Sequence, residues 1–391
     1  MTTGQTPPLF APLKLRGITL PNRIVVSPMC QYSAIDGTAQ DWHLLHLGSM
    51  ALSGAGMLIV EATAVAPEGR ITIGCLGLYS DENEAALKRI VSTLRSVTKM
   101  PIGIQIGHAG RKGSSAEPWN RGQLIDANHA NGWLPIAPSA LPQLEQEAPP
   151  HAMTTSEIEA LIEAFKHTAE RATRIGFDAI ELHSAHGYLL HEFLSPVSNT
   201  RTDRYGGSFA NRTRVPLAIY DAVRAVWPAE KPLGVRLSAT DWLENEDQSH
   251  SSNHDAAKTW TVAQTVTLAA QLKARGCDWI DCSSGGISPK QKIILGAGYQ
   301  VRFSEVVRKE TGATTIAVGA ITDPHHANQI IAQGQADLIA LARGLIYDPR
   351  WPWHAAAVLG EAAHVQAPQQ YWRCTPREAA HVLGPIVFGM R

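Results

Sequence analysis

Eight short apolar runs recur along the chain, each followed by a helical pattern or a polar loop, and no other feature constrains the fold as strongly. The runs are Ile24 to Ser27, Met57 to Ala62, Ile102 to Ile106, Asp178 to Leu182, Leu233 to Ser238, Trp279 to Ser283, Thr315 to Val318 and Asp337 to Ala342. Short, nearly continuous apolar runs of this kind read as strands covered on both faces, as in a parallel sheet. Between them the spacing predicts helices over Trp42 to Gly54, Glu82 to Val97, a long one capped by Thr155 and stopped by Gly176, then Ala210 to Val226, Trp260 to Arg275, Val301 to Lys309 and Pro324 to Gln333. A doubly wound open sheet shares the βαβα order. Eight strands with chemically distinctive residues at nearly every carboxyl end favour closure, so the expectation is an α/β chain folded as a (β/α)8 TIM barrel.

The connections carry the rest. Arg16 to Asn22 reads as a turn-rich lead-in, His108 to Met153 as a long excursion over the catalytic face, and Glu244 to Asp255 as an exposed loop. At 391 residues the chain suits one barrel, set at 1–360, with long loops and a C-terminal tail at 361–391. A formal net charge of −1 and a sequence pI near 7.0 offer no global attraction to nucleic acid or anionic membrane. Small molecules are the expected partners. Cys30, Cys75, Cys277, Cys282 and Cys374 form no CxxC pair, which argues against a zinc ribbon, an iron–sulfur cluster or a disulfide framework and fits a reducing cytoplasm. The amino end has no basic segment before an apolar core, and Met50 to Ala66 is interrupted by Ser53, Gly54, Gly56 and Glu61, so neither signal peptide nor membrane span is read.

Chemistry concentrates in DAIELHSAHGYLLHEFLSP, beginning at Asp178. His183, His186 and Tyr188 follow the strand where it should open into its loop, and two imidazoles with a phenol can hold a substrate oxygen and deliver a proton. Gly319 after the seventh strand and Ala342-Arg343-Gly344 after the eighth stand where such barrels bind phosphate. With no Walker loop and no GxGxxG run, this suits flavin mononucleotide (FMN) or a phosphorylated substrate better than a dinucleotide. Arg236 lies inside an apolar strand and needs a permanent partner, either a reduced flavin or a buried acid. Gln105, polar within IGIQIG, can bond a flavin pyrimidine edge or a neighbouring backbone group. The HxxH pair lacks the third ligand and local glutamate of a zinc motif, so no metal is expected.

SPMCQYSAxDG from Ser27, IVEATAV from Ile59, QIGHAGRK from Gln105, ELHSAHGYLLHEFLSP from Glu181 and SNxRTDxYGGSxxNRxR from Ser198 occur in this order. Together with the Arg343 pocket, over nearly the whole chain, they resemble the old yellow enzymes, FMN-dependent ene-reductases, in their xenobiotic-reductase and thermophilic-like subgroup. The resemblance implies that Ser27, Pro28, Met29, Cys30, Ala62, Gln105 and Arg236 line a non-covalent FMN, with Gly319, Ala342 and Arg343 at its phosphate and the Cys30 thiol near N5. Ala342 stands where relatives can have glycine, which points to a backbone role. It implies that His183 and His186 bind the substrate's activating group, that Tyr188 donates the proton, and that Tyr32 is a second phenol at the substrate. Arg373, with Trp372, resembles a tail that reaches a neighbouring subunit's site in a homodimer or homotetramer, although here the chain continues to Arg391.

The chemistry so implied is ping-pong: NADPH or NADH delivers hydride to the flavin and leaves, and an activated alkene (enone, maleimide or nitroalkene) then takes hydride on one face and a proton from Tyr188 on the other. Two other readings stay open. A metal-dependent barrel hydrolase would use His183 and His186 as ligands, and a flavin-binding protein without catalysis would carry the same pocket. Relatives with a cysteine-bound cluster and further domains need cysteines and length that this chain does not have.

Overall fold

Ile24–Val26 (β1) pairs on one side with Met57–Ala64 (β2) and on the other with Leu338–Leu341 (β8), and the second pairing closes the sheet. Ile102–Gly107 (β3), Ala179–Ser184 (β4), Leu233–Ser238 (β5), Ile280–Ser283 (β6) and Thr315–Val318 (β7) complete the circle, each parallel to its neighbours. The expected (β/α)8 barrel is therefore the fold. The computed structural model describes residues 6–243, 254–360, 365 and 367–374. The polar loop read from Glu244 to Asp255 lies mostly outside the described residues, as does most of the tail.

The helices follow the barrel order: Asp41–Ala51 (α1), Asp81–Val97 (α2), Thr155–Ile175 (α3), Leu189–Leu194 (α4), Phe209–Val226 (α5), Val262–Ala274 (α6), Val301–Thr311 (α7), Pro324–Ala332 (α8), Arg343–Tyr347 (α9) and Trp351–Leu359 (α10). α3 shows how local sequence sets its ends. Its cap is Thr154, one residue before the Thr155 expected, because Thr154 and Glu157 form a reciprocal capping box. Ile158, Leu161, Phe165, Ala169 and Ala172 then bury one face, and Gly176, at φ 96°, stops the helix. α4, α9 and α10 were not read from the sequence; the first two are short, at 6 and 5 residues, and carry little periodic signal.

Three strands, β4, β6 and β8, begin one residue later than read, and each is preceded at the barrel floor by an aspartate with the same role. Asp178 and Asp337 turn their carboxylates sideways and accept the first amide of the preceding strand, Ile102 N–H at 2.7 Å and Thr315 N–H at 3.0 Å. Asp278 does the same for Leu233 N–H at 2.8 Å. Each carboxylate also meets an arginine: Arg95, Arg308 and Arg16 respectively. The charged pairs satisfy strand-end amides that would otherwise face the floor without partners.

The lead-in is a hairpin, not a bare turn: Leu13–Leu15 pairs antiparallel with Ile18–Leu20, and Leu15 and Leu20 plug the floor beneath Val25, Met57, Ile59, Ala179, Ile316 and Leu338. The Trp279 indole, in the same layer, reaches past neighbouring β5 and donates to Glu181 of β4. Gly234 beside it on β5 has to be glycine, since a Cβ there would lie 1.9 Å from the indole. The long excursion after β3 holds only 3-10 turns and a two-residue parallel pair, Ile136–Ala137 with His151–Ala152.

Candidate active site

Above the apolar floor the barrel interior turns polar. Glu181 on β4 is fully buried and accepts Gln105 Nε2 and Trp279 Nε1, both at 2.8 Å. Arg236 on β5, 7% exposed, pairs with Asp281 Oδ2 at 3.3 Å and donates to Ser283 Oγ at 3.0 Å, with Ser27 Oγ 3.5 Å away. Thus the acid partner for Arg236 exists, and it is Asp281. Burial first, then Asp281, pushes the Glu181 carboxyl up to about 7, with Arg236 opposing. Burial likewise raises Asp281, again against Arg236.

The residues expected around a flavin stand at this mouth. Ser27 follows β1, Gln105 and Arg236 lie in β3 and β5, and Ala62 is in β2. The Gln105 nitrogen is committed to Glu181, which leaves its carbonyl oxygen as the group it can offer an N–H of a pyrimidine edge. Gly319 follows β7 at φ 122°, in a cradle where a Cβ would come within 2.9 Å of Tyr299 and Gln300. Ala342 is the residue before α9, so Arg343 and Gly344 open that helix next to Gly319's loop. A buried guanidinium, an amide acceptor and a glycine-lined turn beside an arginine are the donor set that an isoalloxazine and a phosphate monoester require. The residues fit FMN.

His183, His186 and Tyr188 come together beside Arg236, with which His183 is in register. His183 lies inside β4 rather than in the loop after it, and its ring meets His186 and Tyr188 edge-on, with centroids 5.1 Å and 4.9 Å away. The facing nitrogens, His183 Nε2 and His186 Nδ1, are 3.4 Å apart. Burial first, then Arg236, drives both imidazoles well below their usual range, so both are neutral at neutral pH. Burial raises the Tyr188 phenol, keeping it protonated. Lys112 Nζ lies 5.6 Å from the Tyr188 ring and donates to the His186 carbonyl at 2.7 Å; burial lowers this ammonium to about 8.

The loop bearing these groups is clamped backbone against backbone. Gly187 and Gly286 both have positive φ, and a Cβ on Gly187 would sit 2.1 Å from the Gly286 carbonyl oxygen. His186, itself at φ 59°, donates its amide to Ser238 Oγ at 2.8 Å, and Gly187 donates to His191 Nδ1 at 2.9 Å. A strained turn held from three sides fixes where two ring nitrogens and a hydroxyl point.

Tyr188 and Tyr32 border a cleft of about 270 Å³ that is also lined by Ile71, Arg111 and Lys112. Tyr32, at φ 52°, meets Trp119 edge-on at 5.7 Å. Pro28, Met29 and Cys30 follow β1 and are each half-buried. The tail lies elsewhere. Ala367, Pro368 and Gln369 line a groove at the barrel floor with Thr19, Ala51 and Pro101, and Tyr371 meets Trp353 of α10 at a tilt, with ring centroids 6.3 Å apart. The backbone of Trp372 and Arg373 continues in the same 3-10 turn, Gln369–Cys374.

Three site features escaped sequence reasoning: the partners Glu181 and Asp281, the Lys112 ammonium, and Cys75. Glu181, Asp281 and Cys75 stand in or beside apolar runs where burial makes them unusual, and Lys112 lies in a quoted motif, so a signal existed. Among the described residues no group of three or more His, Cys, Asp or Glu side chains is placed to hold a metal, and no helix is long and apolar enough to cross a membrane.

A closed parallel barrel with a flavin-shaped donor set and two neutral imidazoles beside a phenol defines a flavin-dependent oxidoreductase. Comparison with known proteins gives the family. The model of the NADH:flavin oxidoreductase / NADH oxidase family matches residues 8–360, and the chain belongs to that family of FMN-dependent, NAD(P)H-using enzymes. It is 46% identical to an NADH:flavin oxidoreductase of Gibberella zeae over 89% of this chain and 84% of that one. It is 44% identical to an NADPH dehydrogenase of Geobacillus over 93% and 98%. Morphinone reductase superposes with a TM-score of 0.72 at 28% identity, over 92% of each chain.

Proposed function

We propose that this enzyme is an old-yellow-enzyme-type ene-reductase that uses NAD(P)H to reduce C=C bonds activated by a carbonyl, imide or nitro group. The observation that carries this reading is the packing of His183, His186 and Tyr188 into one cluster beside Arg236, the register partner of His183. FMN, when bound, supplies the two-electron carrier between the nicotinamide and the alkene. His183 and His186, neutral because they are buried, donate N–H bonds to the oxygen of the activating group. Those bonds strengthen as negative charge gathers there, so they favour the transition state over the ground state. Tyr188 gives its proton to the α-carbon, and the Lys112 ammonium beside its ring favours the negative charge left behind. Tyr32, across the same cleft, offers a second hydroxyl. Arg236 stabilises negative charge from beneath, anchored by Asp281 and Ser283.

We further propose that Arg373 serves a neighbouring subunit's site, in a homodimer or homotetramer. Its backbone continues a tail seated at the floor of its own barrel, at the end opposite His183, which favours action in trans. A cytoplasmic setting accords with the four unbridged cysteines among the described residues. The test of the reading is anaerobic stopped-flow reduction with NADPH and with NADH, then mixing with cyclohexenone, a maleimide and a nitroalkene. A flavin that bleaches but is not reoxidised by any of the three overturns it.

A further inference from the structure

Cys30 and Cys75 are 45 positions apart, yet the fold brings them close enough that each is the leading influence on the other's ionisation. The backbones carrying them are adjacent as well. Ala34 N–H donates to the Gly74 carbonyl at 2.8 Å, and Gly74 packs so closely on Tyr32 that a Cβ would fall 2.5 Å from the Tyr32 carbonyl oxygen. Cys75 is 1% exposed and Cys30 half-buried. The proposed reduction needs no nucleophile, so the chemistry above leaves the nucleophilicity of both thiols unused.

The surroundings of the two sulfurs differ. Thr72 aims its amide and its hydroxyl at Cys75 Sγ, at 3.4 Å and 3.5 Å. With the Cys30 thiol as the leading donor, these hold Cys75 down to about 7, while Cys30 is raised by the same contact and by burial. Of the two sulfurs, Cys75 is therefore the more readily ionised. Cys75 also lines a cavity of about 20 Å³ with Ala62, Gly107, His108, His183 and Tyr188, enough for one water-sized molecule.

We propose that Cys30 and Cys75 are an oxidation site, which hydrogen peroxide or a small hydroperoxide converts reversibly into a disulfide at the mouth of the barrel. The Cys75 thiolate attacks a peroxide oxygen: an S–O bond forms, the O–O bond breaks, and the departing hydroxide is protonated to water. Cys30 then attacks the sulfur of the Cys75 sulfenic acid. An S–S bond forms, the S–O bond breaks, and the Cys30 proton leaves with the hydroxide as a second water. The dithiol loses two electrons and the peroxide gains them. The disulfide ties the Cys30 sulfur to Cys75; on the ene-reductase reading, which places that sulfur at the flavin, alkene turnover falls in the oxidised state and returns on reduction.

The holoenzyme, treated with hydrogen peroxide, alkylated and digested without reductant, should yield a peptide pair joined through Cys30 and Cys75. The free-thiol titre should fall by two per chain, the intact mass by two hydrogens, and dithiothreitol should restore both. Cys75→Ser should give no cross-link and leave Cys30 to go on to sulfinic acid. The proposal is overturned if thiols are lost without that cross-link, if the cross-link joins other cysteines, or if both thiols survive peroxide that oxidises free cysteine in the same tube. Since the wild-type protein alone decides this, an unfolded variant does not matter. Absence of alkene reduction by the untreated enzyme would strike the ene-reductase reading and leave the disulfide result standing.

Discussion

His191 Nε2 donates to Asp241 Oδ1 at 3.0 Å, with both side chains fully buried, while His191 Nδ1 accepts the amide of Gly187 at 2.9 Å. One tautomer satisfies both bonds: the proton is on Nε2, held by the carboxylate, and the lone pair on Nδ1 anchors the turn between His186 and Tyr188. Asp241 also accepts Ser195 Oγ, Thr259 Oγ1 and Trp260 N–H at 2.6, 2.9 and 2.8 Å, so the anchor is itself fixed. His191→Phe should cost about 1–3 kcal/mol, the penalty of stranding a buried partner. It should also slow alkene reduction. Urea unfolding and turnover measured together check this; lost stability with unchanged turnover would mean that His191 serves only the fold.

Glu181 makes stability depend on pH. In the unfolded chain its carboxyl ionises near about 4.3, whereas in the barrel it is held to about 7, chiefly by burial. Between those values the unfolded state binds fewer protons than the folded one, so this group's contribution to stability falls as pH rises and levels off above 7. Glu181→Gln removes that contribution. Urea midpoints at pH 5 and pH 7 should show the wild type losing ground to the variant as pH rises. Parallel curves would mean that Glu181 is ionised throughout.

Replacing both His183 and His186 with alanine removes the proposed donors to the substrate oxygen without touching the FMN donor set. The flavin should remain bound. The long-wavelength band produced by phenols over oxidised flavin should vanish, and reduction of cyclohexenone should fall roughly a hundredfold to a thousandfold, or about 2.7–4 kcal/mol. An unaltered rate places the anchor elsewhere.

Tyr188→Phe should separate the two halves of the cycle. Reduction of the flavin by NAD(P)H needs no proton from this side chain and should be nearly unchanged, whereas alkene reduction should slow, most for weakly activated enones. Equal slowing of both halves would assign Tyr188 a role in shaping the cleft.

Mixing His183→Ala/His186→Ala/Tyr188→Phe subunits with Arg373→Ala subunits checks the proposed action in trans. If Arg373 completes a neighbour's site, hybrid oligomers contain one pocket with native residues from both chains and regain activity. Hybrids with no more activity than the separate variants would show that Arg373 acts in cis or not at all.

Sequence alone determined the barrel and most of what points into its mouth. Strand and helix are local matters of apolar period and capping, and the β5 and β7 limits read from the chain agree with the structure to the residue. The resemblance carried by ordered motifs likewise led to the family. Contacts between distant residues were decided only by tertiary structure. That Arg236 would meet Asp281 and that Gln105 would spend its nitrogen on Glu181 depends on strand register, and that His191 would reach Asp241 depends on where α4 sits beside the segment after β5; these contacts join residues 45 to 76 positions apart. Asp178 and Asp337 show the same limit at the floor: each looked like the start of a strand, yet it bonds the neighbouring strand's first residue with both its amide and its carboxylate, and the strand proper begins at the next residue. Periodicity reports which way a side chain faces; only closure of the barrel determines what it meets there.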